Sequence, residues 1–259
     1  MTSRWPPVFV LVLALTASCR SASPIAPPRA PAPPPSAPAA AAQTPEVPVR
    51  APEAIRWSRD SAEHRALFLQ IYRAATAHVE AEAAARAPGS WAAILDADET
   101  VLDNSLYMFE RALAGAPFDA ESWRAWCARR EATPLPGAAA FLSRVRGLGG
   151  RIAIVTNRTM AECPDTEAVF LAQGLAYDVM LCKPDGGPSA KIPRFEAVAH
   201  GTTPAGLPPL EIVAFVGDNI LDFPGQSQAI RRQGDEAFEA FGARFFVLPN
   251  PMYGSWERN

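Results

Sequence analysis

The chain has 259 residues, 49 % of them apolar and 20 % charged, with a formal net charge of −3. It is long enough to bury a sizeable core, and its composition excludes a disordered or fibrous chain. The slightly acidic balance removes the basic footprint that a nucleic-acid polymer would require. The basic residues number 24, and all but Lys183 and Lys191 are Arg. Both lysines fall in CKPDGGPSAK (182–191). Either codon bias left two survivors, or a compact ammonium is needed where a forked guanidinium does not fit.

Residues 1–19, MTSRWPPVFVLVLALTASC, read as a secretory signal: Arg4 is followed by an apolar run and then by small residues. VFVLVLALTA is too short to span a bilayer as a mature helix. The LTASC ending resembles the lipobox of bacterial lipoproteins, although Leu15 stands one place further from Cys19 than that pattern has it. Cys19 is the expected lipidation site, with simple cleavage as the alternative. The protein is thus expected outside the cytoplasm. It is either anchored on the outer membrane or another face of the periplasm, or soluble in the periplasm or the medium.

Residues 20–54 are a Pro- and Ala-rich linker (APPRAPAPPPSAPAAAA), which favours extended chain and buries no core. Four of the arginines lie in the first 54 residues, so the body, 55–259, is mildly acidic. Cys127, Cys163 and Cys182 match no zinc spacing. An exported protein permits a Cys163–Cys182 disulfide, but the favoured reading is three packing residues.

Residues 58–86 are expected to be one helix, capped by Ser58 or Ser61, with Leu67, Phe68, Ile71, Tyr72, Ala75 and Val79 at helical spacing. Short apolar runs follow: WAAILD (91–96), RIAIVTN (151–157), AYDVMLC (176–182), EIVAFVGD (211–218) and ARFFVLPN (243–250). They are continuous rather than alternating, as in strands covered on both faces. Helical candidates lie between them at 137–149, 161–174, 190–200 and 226–241. The pattern predicts an α/β fold with a doubly wound, Rossmann-like parallel sheet. Residues 105–136 are read as a small helical cap over the site.

In such sheets ligands bind at the carboxyl ends of the strands. Asp96 ends the first run, Thr156 and Asn157 end the second, Asp218 ends the fourth, and Lys191 follows the third. The crowding of Asp96, Asp98, Glu99 and Asp103 calls for a positive partner, because clustered carboxylates repel one another and resist desolvation. Asp96, Asp218 and Asp222 are the expected ligands of Mg²⁺, which takes a few hard oxygens and leaves room for a phosphate. Lys191 and Thr156, with Asn157 beside it, are the expected phosphate contacts. Asp96 is placed to attack phosphorus, and Asp98 to protonate the leaving oxygen and then activate water.

ILDADETVLDNSLY, VTNR, SAKIPRF, VGDNILDF and LPNPMYGSWE together resemble the haloacid dehalogenase superfamily. More narrowly, they resemble its class C acid phosphatases, bacterial surface lipoproteins of the 5′-nucleotidase type. The resemblance implies an Mg²⁺-dependent phosphomonoesterase acting on nucleoside monophosphates through an aspartyl phosphate. It gives Asp98 a metal contact through its backbone carbonyl, and it gives Trp123 and Tyr253 the role of stacking a nucleoside base. The chain departs from the family pattern in GTTPAGLPPLE (201–211), which is longer than the family leads one to expect. It departs again in CKPDGGPSAK, which is Gly/Pro-rich where a more charged run is expected.

Blander roles stand beside these. Asp103 and Asn104 are read as braces of the first loop and Glu99 as a loop acid, while Arg158 either reaches phosphate or hydrogen-bonds that loop. His64, His78 and His200 receive no role. The rival functions are a broad aryl or sugar phosphatase without base preference and a non-catalytic surface lipoprotein. No oligomeric state follows from the residues.

Overall fold

The computed structural model describes residues 50–258. The signal, Cys19 and most of the expected linker lie outside the described residues. In chain order the elements are α1 (Glu53–Asp60), α2 (Ala62–Ala83), β1 (Trp91–Leu95), β2 (Leu102–Asp103), α3 (Ser105–Leu113), α4 (Ala120–Arg129), β3 (Thr133–Pro134), α5 (Ala138–Gly147), β4 (Arg151–Thr159), α6 (Cys163–Ala172), β5 (Val179–Lys183), α7 (Ile192–His200), β6 (Glu211–Gly217) and β7 (Phe245–Val247). No helix among them is long and apolar enough to cross a membrane.

Five strands make one parallel sheet in the order β5-β4-β1-β6-β7, the doubly wound arrangement expected from the sequence. The continuous apolar runs have the predicted cause, because both faces of the sheet are covered. Trp91, Ala93 and Leu95 of β1 enter one core layer, packed with Phe68 and Tyr72 of α2, Phe141 of α5 and Phe170 of α6. Ala92 and Ile94 enter the other, with Phe195 and Val198 of α7 and the rings of Phe215, Phe223 and Phe245. Along β6 the alternation slips once. Ala92 pairs with Ile212 but Ala93 with Ala214, so Val213 is an extra residue, and Val213 and Ala214 both join the first layer.

The long helix expected over 58–86 is two helices. Ser61 adopts an extended conformation, so α1 ends before it, and its side chain accepts from His64 N to cap α2. Helix α1 also starts at Glu53, inside the stretch read as linker, and Ala51 is buried. The helix expected over 226–241 is absent. Two short 3₁₀ turns, Gln228–Arg232 and Asp235–Phe238, stand there with Gly234 between them, a residue that penalises a continuous helix. Strand β5 starts three residues later than expected, and β7 keeps only three residues of its run. Between 105 and 136 lie α3 and α4, and β2 pairs with β3 at their base in a two-residue antiparallel ladder.

Cys163 and Cys182 form a disulfide, where packing was the favoured reading; among the described residues Cys127 is the free thiol, and it is buried. The bridge spans 19 residues of sequence and ties the first residue of α6 to β5, an edge strand of the sheet. The sequence names this pair as permitted without deciding it, since the two cysteines sit on different elements whose docking sets the distance. Replacing both by Ser is expected to lower unfolding stability by about 3 kcal/mol, from the entropy that a loop of this length regains in the unfolded chain. Urea melts of the oxidised protein and the double variant measure it, and a non-reducing peptide map checks the pairing.

Candidate active site

The carboxyl ends of β1 and β6 lie side by side, and each delivers an acid as its chain leaves the sheet. Asp96 follows β1, held by Asp96 N donating to Val216 O at 3.0 Å. Asp218 follows β6, and the 3₁₀ turn Ile220–Asp222 brings Asp222 back beneath it. Asn219 and Asp222 cap that turn reciprocally, with Asn219 N donating to Asp222 Oδ2 at 2.9 Å. One carboxylate oxygen from each of Asp96, Asp218 and Asp222 lies within 4.8 Å of the others. Gly217 permits the fold-back: a Cβ at this position would overlap the Asp222 side chain.

Lys191, the residue that opens α7, sits buried among the acids. Its Nζ is 2.7 Å from Asp96 Oδ1 and 2.6 Å from Asp222 Oδ1. Burial opposes its charge, yet the Asp222 and Asp96 carboxylates hold its pKa above the usual lysine range. One ammonium does not balance three acids. Burial pushes Asp96 up to about 7 against the pull of Lys191, with Asp222 and Asp98 adding repulsion. Burial, with Asp222 and Asp96, also raises Asp218 well above the carboxylate range. Converging hard oxygens with unmet negative charge fit a divalent cation. Asn250, just beyond β7, steadies the cluster by donating to Asp218 Oδ2 at 2.8 Å.

Asp98 stands apart from that cluster. Its Oδ1 accepts from Arg158 Nε at 2.9 Å and from Asn104 Nδ2 at 2.9 Å, and Arg158 Nη2 lies 2.8 Å away as an ion pair. Arg158 therefore bonds the first loop, the structural one of its two expected roles, and borders the cavity. Glu99 is a buried brace. It takes a positive φ of 49°, and its carboxyl, raised well above the usual range by burial, accepts from Asn104 N at 2.9 Å. From below, the buried Tyr72 of α2 donates its hydroxyl to Thr100 O at 2.7 Å. Asp103 Oδ1 accepts from Ser105 N at the start of α3.

The expected phosphate contacts are placed unequally. Lys191 and the exposed Asn157 line the cavity. Thr156 is fully buried behind the wall, with its hydroxyl accepting from Arg158 N at 3.0 Å. Arg194, one turn into α7, donates to Thr156 O and, at 2.7 Å, to Asn157 Oδ1, tying the end of β4 to the Lys191 segment.

Above the acids opens a cavity of about 560 Å³. Trp123 of α4 and Tyr253 both line it, as do Tyr107 of α3 and Phe118. Tyr107 meets Trp123 edge-on at 5.1 Å, and its hydroxyl shares a hydrogen bond with Ser122. Lys183 and the three histidines are not part of the wall. Phe118, Arg194 and Asn250 were not singled out from the sequence. Asn250 lies inside LPNPMYGSWE and Arg194 inside SAKIPRF, yet nothing in their spacing, or in that of Phe118, marks them. Arg194 is one of 22 arginines, and only the docking of α7 distinguishes it.

The family described as HAD superfamily, subfamily IIIB (Acid phosphatase) matches residues 36–256. The solved structure of the class C acid phosphatase from Bacillus anthracis superposes with a TM-score of 0.70 at 30 % identity, covering 79 % of this chain and 85 % of that one. The same protein with tungstate bound gives the same values.

Gly217→Ala is expected to push Asp222 out of the cluster and lower affinity for Mg²⁺ or Mn²⁺ by about 10- to 100-fold, the cost typical of disturbing a metal ligand's support. Titration calorimetry on folded wild type and variant reads the change.

Proposed function

Because this chain belongs to subfamily IIIB of the HAD superfamily, the acid phosphatases, and is a phosphomonoester hydrolase, we propose a particular reaction for it: Mg²⁺-dependent hydrolysis of nucleoside monophosphates outside the cytoplasm. The observation that carries the reading is the convergence of Asp96, Asp218 and Asp222 around Lys191 at the floor of a cavity walled by Trp123 and Tyr253.

Asp96 is the nucleophile. One of its oxygens bonds to phosphorus as the bond from phosphorus to the ester oxygen breaks, leaving an aspartyl phosphate. Asp98 gives its proton to the departing oxygen. It then takes a proton from the water that attacks phosphorus, and Asp96 is released with inorganic phosphate. Asp96, Asp218, Asp222 and the Asp98 carbonyl would hold Mg²⁺, which supplies positive charge opposite the phosphoryl oxygens. Lys191 supplies a second positive charge from its buried position, and Asn157 offers an amide at the wall. The buried Thr156 serves less as a direct contact than as a support for the backbone around Arg158.

Trp123 and Tyr253 present flat apolar faces in the same cavity, which supports stacking of a nucleoside base. Export is supported by the signal-like start and by the disulfide, a bond that persists in oxidising compartments. Cys19 is the proposed anchor.

Phosphate release from AMP is expected from the wild type. Chelation with EDTA is expected to reduce it by more than a hundredfold, and Asp96→Asn to abolish it. Equal release in all three samples overturns the reading. Trp123→Ala is expected to lower kcat/KM for AMP at least tenfold more than for p-nitrophenyl phosphate. An unchanged ratio selects a phosphatase without base preference.

A further inference from the structure

We propose that Arg158 and Asn104 are positioning residues for Asp98: they saturate its Oδ1 and leave Oδ2 as the only oxygen able to exchange a proton with the ester. This rests on the role for Asp98 given above and adds what makes that role geometrically unambiguous.

The amide orientation of Asn104 is fixed by chemistry. Trp126 Nε1 lies 2.8 Å from one terminal atom of Asn104 and Arg158 Nη2 lies 3.1 Å from the same atom. An indole N–H and a guanidinium N–H can only donate. The atom between them must be the amide oxygen, so the amide nitrogen points the other way. There it donates to Asp98 Oδ1 at 2.9 Å and, more weakly, toward Glu99 Oε2 at 3.4 Å. Asn104 is thus a relay of orientation: a core tryptophan, 2 % exposed, sets which end of the amide faces the carboxylate.

Arg158 makes the hold rigid. Its Nε and Nη2 both reach Asp98 Oδ1. Its Nη1 donates to Thr166 Oγ1 of α6 at 3.2 Å, and its Cζ lies 5.4 Å from the centre of the Trp123 ring. The side chain is 1 % exposed, so it cannot swing without leaving a buried charge unpaired. Two hydrogen bonds, from Arg158 Nε and Asn104 Nδ2, converge on one oxygen of Asp98, with Arg158 Nη2 in ion-pair contact beside them. A proton placed on that oxygen would meet both donor hydrogens, whereas Oδ2 receives neither. The Asp98 side chain is itself 17 % exposed and lines the cavity. The acid is therefore presented with a fixed face, at no reorientation cost when the ester arrives. A lysine in place of Arg158 keeps the charge but loses the fork.

The test uses the dependence of rate on the leaving group. An aryl ester with an acidic phenol departs without help, while an alkyl ester needs a proton delivered in step with bond cleavage. The quantity measured is kcat/KM, which reports phosphoryl transfer to Asp96, for p-nitrophenyl phosphate, phenyl phosphate and an alkyl phosphate. With Arg158→Lys, the alkyl ester is expected to lose about 100-fold or more and the p-nitrophenyl ester less than about tenfold, which steepens the dependence on leaving-group acidity. Asn104→Ser is expected to give a smaller loss of the same pattern, and it carries the test if Arg158→Lys cannot be purified folded.

A loss equal on all three esters, or no loss on any, overturns the proposal and leaves Arg158 a structural residue. Full activity in Asp96→Asn would instead sink the underlying reaction, so the two failures are told apart.

Discussion

The structure depends on holding three acids together at the ends of two adjacent strands with one buried ammonium among them. Asp96, Asp218 and Asp222 repel one another, and burial removes the water that would soften the repulsion. Lys191 offsets part of this through two short ion pairs. What remains is a region of the fold with a standing appetite for positive charge. A divalent cation fits the balance that the protein alone leaves uneven. The site is costly to assemble for the reason that it is useful, and the rest of the domain is arranged to hold it.

That arrangement is visible in the layers under the site. The sheet order puts β1 between β4 and β6, so the two acid-bearing strand ends are neighbours. Tyr72 grips the first loop from α2, Glu99 accepts a left-handed backbone to let the loop close, and Gly217 yields the space that Asp222 occupies. Asp96 and Asp98 are two residues apart and live in different electrostatic surroundings. Asp96 shares one lysine with another acid, whereas Asp98 owns a guanidinium and an amide. Two carboxylates on one loop can thus do different work.

Much of this was legible in the chain. DADET, TNR and GDNILD each follow an apolar run, and parallel strands put their trailing polar residues on one edge, so the sequence alone groups the acids with Lys191. The doubly wound sheet followed from continuous apolar runs separated by helical segments. What stayed hidden depends on docking between distant elements. Ser61 caps α2 as one of the two expected candidates, but the separate helix α1 ahead of it has no signal in the Pro-rich stretch where it begins. The residues 226–241 have helical composition, yet Gly234 and the need to deliver Phe238 and Phe241 to neighbouring rings give two short turns instead. The Cys163–Cys182 bond, the hydrogen bond from Asn250 and the contacts of Arg194 all join segments whose approach no local pattern encodes.

The disulfide also makes the two edges of the sheet unlike. The β5 edge is closed by a covalent staple to α6. The β7 edge is three residues long, is held by non-covalent contacts, and leads into Asn250, which steadies Asp218. Fraying of a fold follows its weakest cooperative segment. Local opening on the β7 side would cost Asp218 its hydrogen bond from Asn250, whereas no such loosening reaches the site from the stapled edge without breaking a covalent bond.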